Sequence, residues 1–157
     1  MISVDIDSKD IGDLARKYTS IARNDTLKKI SSVRLENDVL AFEQNFVLGT
    51  TIRLGLSCDE SGKLLIRIVS LADNEAGNAV IMKAVKAYSA LSGLFGGEKE
   101  KGGGGVAGIV EQKTGGQFVR VADDLLSLDP QDCVPFPLKL HGVSIHDGKL
   151  SLQLELF

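Results

Sequence analysis

The sequence has no tryptophan, only two cysteines and two histidines in 157 residues, and aromatic residues make up 5% of it. Each scarcity removes a class of protein. Two cysteines cannot frame a disulfide-stapled mini-fold. Cys58 and Cys133 read as two buried thiols, with one bridge between them as the alternative. So few aromatics give no stacking platform for single-stranded nucleic acid. A net charge of -3 gives no basic footprint for a phosphate backbone, so no nucleic-acid partner is expected. Long apolar runs are also missing. The most apolar stretch, 79–95, carries Lys83 and Lys86 near its middle. Each would cost about 2.5–3.5 kcal/mol at a bilayer centre, so no transmembrane segment is expected. The opening "MISVDIDSKD" lacks the basic and apolar regions of a secretory leader. If Met1 is the native start, the chain is expected in the cytoplasm.

Catalytic motifs are equally scarce. Lys113-Thr114 could end a phosphate-binding loop, but the two required glycines would fall at Ala107 and Gln112. His141 and His146 stand five apart, on opposite sides of a regular strand unless a bulge between them restores one face, and match no zinc spacing with Cys133 or Asp147. Asp123-Asp124 reads as a cap before "LLSL" rather than a carboxylate pair, since adjacent side chains point apart. No nucleophile elbow, HExxH or CxxC occurs. The expectation is a non-enzymatic protein with no metal and no cofactor.

What is present is periodicity. "ISVDI" reads as a first strand. Ile11, Leu14, Ala15, Tyr18, Ile21 and Ala22 then recur at helical spacing, which predicts a helix over 9–23 capped by Asp7 or Ser8. From Ser32 the period becomes two. Asn37-Asp38 is expected as a two-residue loop that sets Leu35 opposite Leu40 and Val33 opposite Phe42. Ile52, Leu54, Leu56 and Cys58, then Leu64, Ile66 and Ile68, form a second hairpin across "DESG". A second helix is predicted over about 75–95. Its polar face holds little beyond Lys83, Lys86, Ser89 and Ser92, so it must be covered on most sides. "GGEKEKGGGGVAG" reads as a flexible loop over about 96–108 inside a single domain of residues 1–157. "QFVRV" is a strand and "ADDLLSL" a short helical turn.

The closing stretch is the most explicit. Asp147-Gly148 suits a type I′ turn, which pairs Ile145 with Leu150 and Val143 with Leu152. The apolar parity slips after Leu140, so a bulge is expected at His141-Gly142. "VRLENDVLAF" and "VSIHDGKLSL" match at a constant offset of 110 residues, the same hairpin unit written twice.

Pro135, Leu138, Leu140, Val143, Ile145, Asp147, Gly148, Leu150 and Leu152 follow a proline-led "v-x-v-x-dG-x-L-x-l" pattern. This resembles the C-terminal strands of bacterial members of the tubular lipid-binding (TULIP) superfamily. The resemblance implies a curved antiparallel sheet rolled against a long helix, with an apolar groove for acyl chains. The expected fold is α+β, with about six to eight antiparallel strands and two helices on one face. The expected function is binding of a lipid, fatty-acid-like or other amphiphilic ligand. Ile81, Val85, Tyr88, Leu91 and Phe95 would form the helical wall, and Phe42, Phe46, Leu54 and Ile66 the sheet wall. The alternative is a self-associating scaffold, a homodimer held by the apolar helix or by an exposed edge at the terminal strand.

Overall fold

The computed structural model describes residues 1–21, 30–44, 51–72, 76–84, 105–113, 115–132 and 134–156. The period-two segments form strands: β1 (Ile2–Asp7), β2 (Ile30–Leu35), β3 (Leu40–Gln44), β4 (Thr51–Cys58), β5 (Leu64–Ser70), β6 (Phe118–Ala122), β7 (Leu125–Leu128), β8 (Leu138–His146) and β9 (Lys149–Leu156). The helical segments are α1 (Ser8–Ile21), α2 (76–84) and α3 (Gly105–Lys113).

The class is α+β and every strand pairing is antiparallel. The strands form two sheets rather than one, in the orders β1-β9-β8 and β2-β3-β4-β5-β7-β6. The division follows from the C-terminal hairpin. Its third strand is β1, with Ile2, Val4 and Ile6 set opposite Leu154, Leu152 and Leu150. The alternate apolar residues of these three strands then share one face. That face packs onto the larger sheet instead of extending it: Leu140, Val143, Ile145 and Leu150 form one buried cluster with Leu35, flanked by Leu40, Leu56, Cys58 and Leu64. Burying such an aliphatic side chain contributes up to about 1.5–3 kcal/mol.

Both tight hairpins pair Leu with its expected partner. Leu35 faces Leu40, Ile145 faces Leu150 and Val143 faces Leu152. The bulge expected near His141-Gly142 is present, since Leu140 pairs Leu154 while Gly142 pairs Gln153. A second bulge lies between Ser31 and Arg34, where Ser32 has φ 51° and both Ser32 and Val33 stand against Phe42. The tips of the two hairpins touch: the Gly148 N–H donates to the Asn37 carbonyl at 3.4 Å. At the far end, the β4–β5 turn rests on β8. A Cβ at Gly62 would lie 3.1 Å from Lys139 Cγ and 3.3 Å from the Leu140 carbonyl oxygen.

Helix α1 covers the side between β1 and β2. Asp7 is its N-cap, its carboxylate accepting from the Asp10 N–H at 2.8 Å. Ser8, the other capping candidate, instead accepts from the Leu35 N–H at 2.9 Å and ties the helix to β2. Ile11 joins the core, but Leu14 is 55% exposed, so the apolar stripe is narrower than its spacing predicts.

Four expectations are corrected. "LLSL" is strand β7, not a helical turn, because it pairs with both β5 and β6. Asp123-Asp124 is therefore the turn of the β6–β7 hairpin and not a cap for "LLSL"; the two side chains diverge to Arg120 and Arg67, and the Asp123 carbonyl accepts from the Ala107 N–H in the first turn of α3. Residues 105–108 of the expected glycine-rich loop belong to α3, whose Ala107 is fully buried. The rest of that loop lies outside the described residues. The terminal strand is not an edge, since β9 lies between β1 and β8.

Candidate functional site

The inner face of the six-stranded sheet carries most of the predicted wall. Parity and register put Phe42 on β3, Ile52, Leu54, Leu56 and Cys58 on β4, and Leu64, Ile66 and Ile68 on β5 all on this face. Phe42 pairs with Ile52, Leu54 with Ile68, and Leu56 with Ile66. Ile66 is followed across the sheet by the buried Leu126.

Two different layers cover this face. At one end Leu56, Cys58 and Leu64 meet the three-stranded sheet. At the other, Ile52 and Ile68 meet a second cluster built from Leu71, Ala72, Ile81, Met82 and Val106. Helix α2 is held there by its Asn78 side chain, whose carbonyl oxygen accepts from the Leu71 N–H at 2.8 Å. Leu54 and Ile66 stand between the two covers. They are half-buried and, among the described residues, pack into neither buried cluster. The seam thus runs across β4 and β5, with sheet on one side and helix on the other.

Of the predicted site residues, Ile81 is buried on the helical side, and Phe42, Leu54 and Ile66 share the sheet face. Phe46, Val85, Tyr88, Leu91 and Phe95 lie outside the described residues. Lys83 is exposed, as a solvated polar face requires. The sequence reading missed α3, which supplies Val106 to the helical cluster. Its signal was present in Val106, Ala107, Ile109 and Val110 but was masked by the preceding glycines. Glu111 of the same helix accepts from the Arg120 N–H at 2.7 Å, fixing α3 along β6.

Charged groups gather elsewhere. On the outer face of the larger sheet, Glu36 accepts from Arg53 Nε at 2.9 Å and from Arg53 and Arg34 Nη2 at 3.3 Å each. The Arg53 hydrogen bond holds the Glu36 carboxyl below the ordinary glutamate value, and both guanidinium charges add to the effect. On the smaller sheet, the bulge brings His141 and His146 to the same exposed face. His141 Nε2 lies 2.6 Å from Glu155, and that hydrogen bond lowers the Glu155 pKa. Among the described residues, no three His, Cys, Asp or Glu side chains gather as metal ligands, and no helix is long and apolar enough to cross a membrane. Cys58 is a free, half-buried thiol, and Cys133 lies outside the described residues. Lys113 ends α3, whereas a phosphate-loop lysine opens its helix.

Comparison with protein-family models, curated proteins and solved structures finds no match to this chain.

Proposed function

We propose that this protein binds a lipid or other amphiphile, without catalysis, along the seam between helix α2 and the inner face of the six-stranded sheet. The observation that carries this reading is the pair Leu54 and Ile66. They lie on a continuous apolar face at the point where one covering layer ends and another begins. Phe42 on the adjacent strand extends the apolar wall toward β3. The likeness of the C-terminal hairpin to the ends of tubular lipid-binding proteins supports the same reading. An acyl chain of about eight to ten methylenes would release about 6–8 kcal/mol on burial. That is comparable to the lower range of the entropy lost on capture. A polar head group would project to solvent, where α2 presents the exposed Lys83.

The test is organic extraction of the purified protein followed by mass spectrometry, with uptake of a fluorescent fatty acid as the second measurement. Leu54→Asp is expected to abolish uptake. Leu54→Phe, which fills the seam while keeping it apolar, is expected to reduce uptake in a protein whose melting temperature stays within a few degrees. A folded wild-type protein that yields no lipid and ignores every acyl probe would overturn the proposal.

A further inference from the structure

The outer face of the six-stranded sheet is finished with charge at one end and left apolar at the other. Toward β2, the Arg34–Glu36–Arg53 group spans Ala41, which is fully buried. Toward β6, among the described residues, three valines of the same sheet stay open to solvent. Val69, Val119 and Val121 are 51%, 49% and 56% exposed. Register places Leu65 beside the buried Ser127 and, next to that, Val119, and Leu125 beside Arg67 and Ala122; Val69 lies with Arg67 over Gly55, and Val121 is the residue at the β6 bulge opposite Leu125. A solvated antiparallel face normally alternates to polar residues, as the outer face of the smaller sheet does with Ser3, Asp5, Ser144, Ser151, Gln153 and Glu155.

Two features say what covers the valine surface. At the β6–β7 turn beside it, an exposed ion pair, Arg67 Nη1 to Asp124 Oδ2 at 3.1 Å, supplies one charge of each sign. A neutral patch carrying both signs is complementary to itself under two-fold rotation, when the arginine of each copy meets the aspartate of the other. It has no net attraction for a nucleic acid or an anionic membrane. The edge beside it is closed to strand addition: Glu111 occupies the Arg120 N–H, and a bulge interrupts β6 between Arg120 and Ala122. Contact must therefore be face to face.

We infer that a second copy of this chain docks on the Val69–Val119–Val121 surface about a two-fold axis, exchanging the Arg67–Asp124 pair between copies. The surface is small by the standard of obligate dimers, so the complex is weak, half dissociated at about 10–100 micromolar. This surface is on the opposite side of the sheet from the seam, so the dimer and the ligand reading stand or fall separately.

Sedimentation equilibrium from about 1 to about 300 micromolar should show the mass rising from one chain toward two. Val119→Asp should hold the mass at one chain with the melting temperature and circular dichroism unchanged. The decisive arm uses charge reversal. Arg67→Asp alone and Asp124→Arg alone should each be monomeric, because like charges would meet both within and between copies. An equimolar mixture of the two variants should regain the mass of two chains, since only between unlike copies do opposite charges meet. A single-chain mass for the wild type at every concentration would overturn the inference. So would a dimer that Val119→Asp leaves intact, or a charge-reversal mixture that stays monomeric.

Discussion

The hairpins β2–β3 and β8–β9 carry the same sequence pattern 110 residues apart, yet they solve the same turn differently. In β8–β9, Asp147 and Gly148 both take positive φ, at 51° and 71°. That turn matches the right-handed twist of its strands. In β2–β3 neither Asn37 nor Asp38 has positive φ; the left-handed residue is Ser32, within the bulge of β2. The first hairpin therefore absorbs its twist in a strand, and the second in its turn. The apolar faces nevertheless end in one cluster, because the tips meet and the two sheets close on each other. Equivalent patterning sets which face is buried. It does not set where the backbone bends.

The largest effect should come from truncating the shared core. Ile145→Ala removes a side chain that is 7% exposed and should cost about 2–5 kcal/mol. Its counterpart across the interface, Leu40→Ala, is half-buried and should cost less. Urea unfolding of both variants measures the difference. Equal losses would mean that the two hairpins contribute symmetrically and that the sheets are less unequal than their burial indicates. Next is the turn. A Cβ at Gly148 meets nothing within 4 Å, so Gly148→Ala tests backbone conformation alone. It should cost about 1–2 kcal/mol. Asp38→Gly, where no positive φ needs relief, should give no gain. A stabilised D38G variant would show that the first turn also strains toward the left-handed region.

The sequence was most legible where a period and a turn residue agreed. Asp147-Gly148, the bulge beside Gly142 and the Leu35–Leu40 pair could be read because each fixes its neighbours' faces. The Phe42, Leu54 and Ile66 face was legible for the same reason. The partition into two sheets was not, since parity says which residues share a face but nothing about which strands pair. Joining β1 to β9 requires a contact between residues 4 and 152 that no local pattern announces. Helix α3 was hidden because glycine propensity argued for a loop, while the burial of Ala107 and the Glu111 contact with β6 decide for a helix. β7 was misread because four residues carry too little period to separate strand from helix.

The ion pairs on the two hairpins' sheets give smaller effects. Glu36 is held by two guanidinium groups that stay charged at every accessible pH. Its carboxyl is depressed in the folded state, so its contribution is fully present above the ordinary glutamate range and is lost as pH falls through the folded value. With side chains about a quarter to two-fifths exposed, solvent screening limits it to about 0.5–1 kcal/mol. Glu36→Gln should lower the melting temperature at neutral pH and flatten its decline on acidification. An acid limb as steep as that of the wild type would show that Glu36 is not the group responsible.

Glu155 should give the smallest effect. Its pKa is lowered first by the hydrogen bond with His141 and then by that residue's charge, with Lys139 adding a weaker attraction. The sign is the same as for Glu36: stability is present above the ordinary glutamate range and lost on descent through the folded value. The environment differs. Half of the Glu155 side chain is exposed on the outer face of the smaller sheet, and added salt reaches it. The partner is an imidazole on a bulge rather than a guanidinium fork, so neither bidentate geometry nor a permanent charge supports the pair. Glu155→Gln should therefore shift the acid limb less than Glu36→Gln does, and about 0.5 M salt should erase the difference between E155Q and wild type. The Glu36 difference should survive the same salt in part, because its carboxylate is shared by two arginines over a buried Ala41. If salt abolished both differences alike, the Arg34–Glu36–Arg53 group would be no better shielded than a lone surface pair. The charged end of the larger sheet's outer face would then not be a cover.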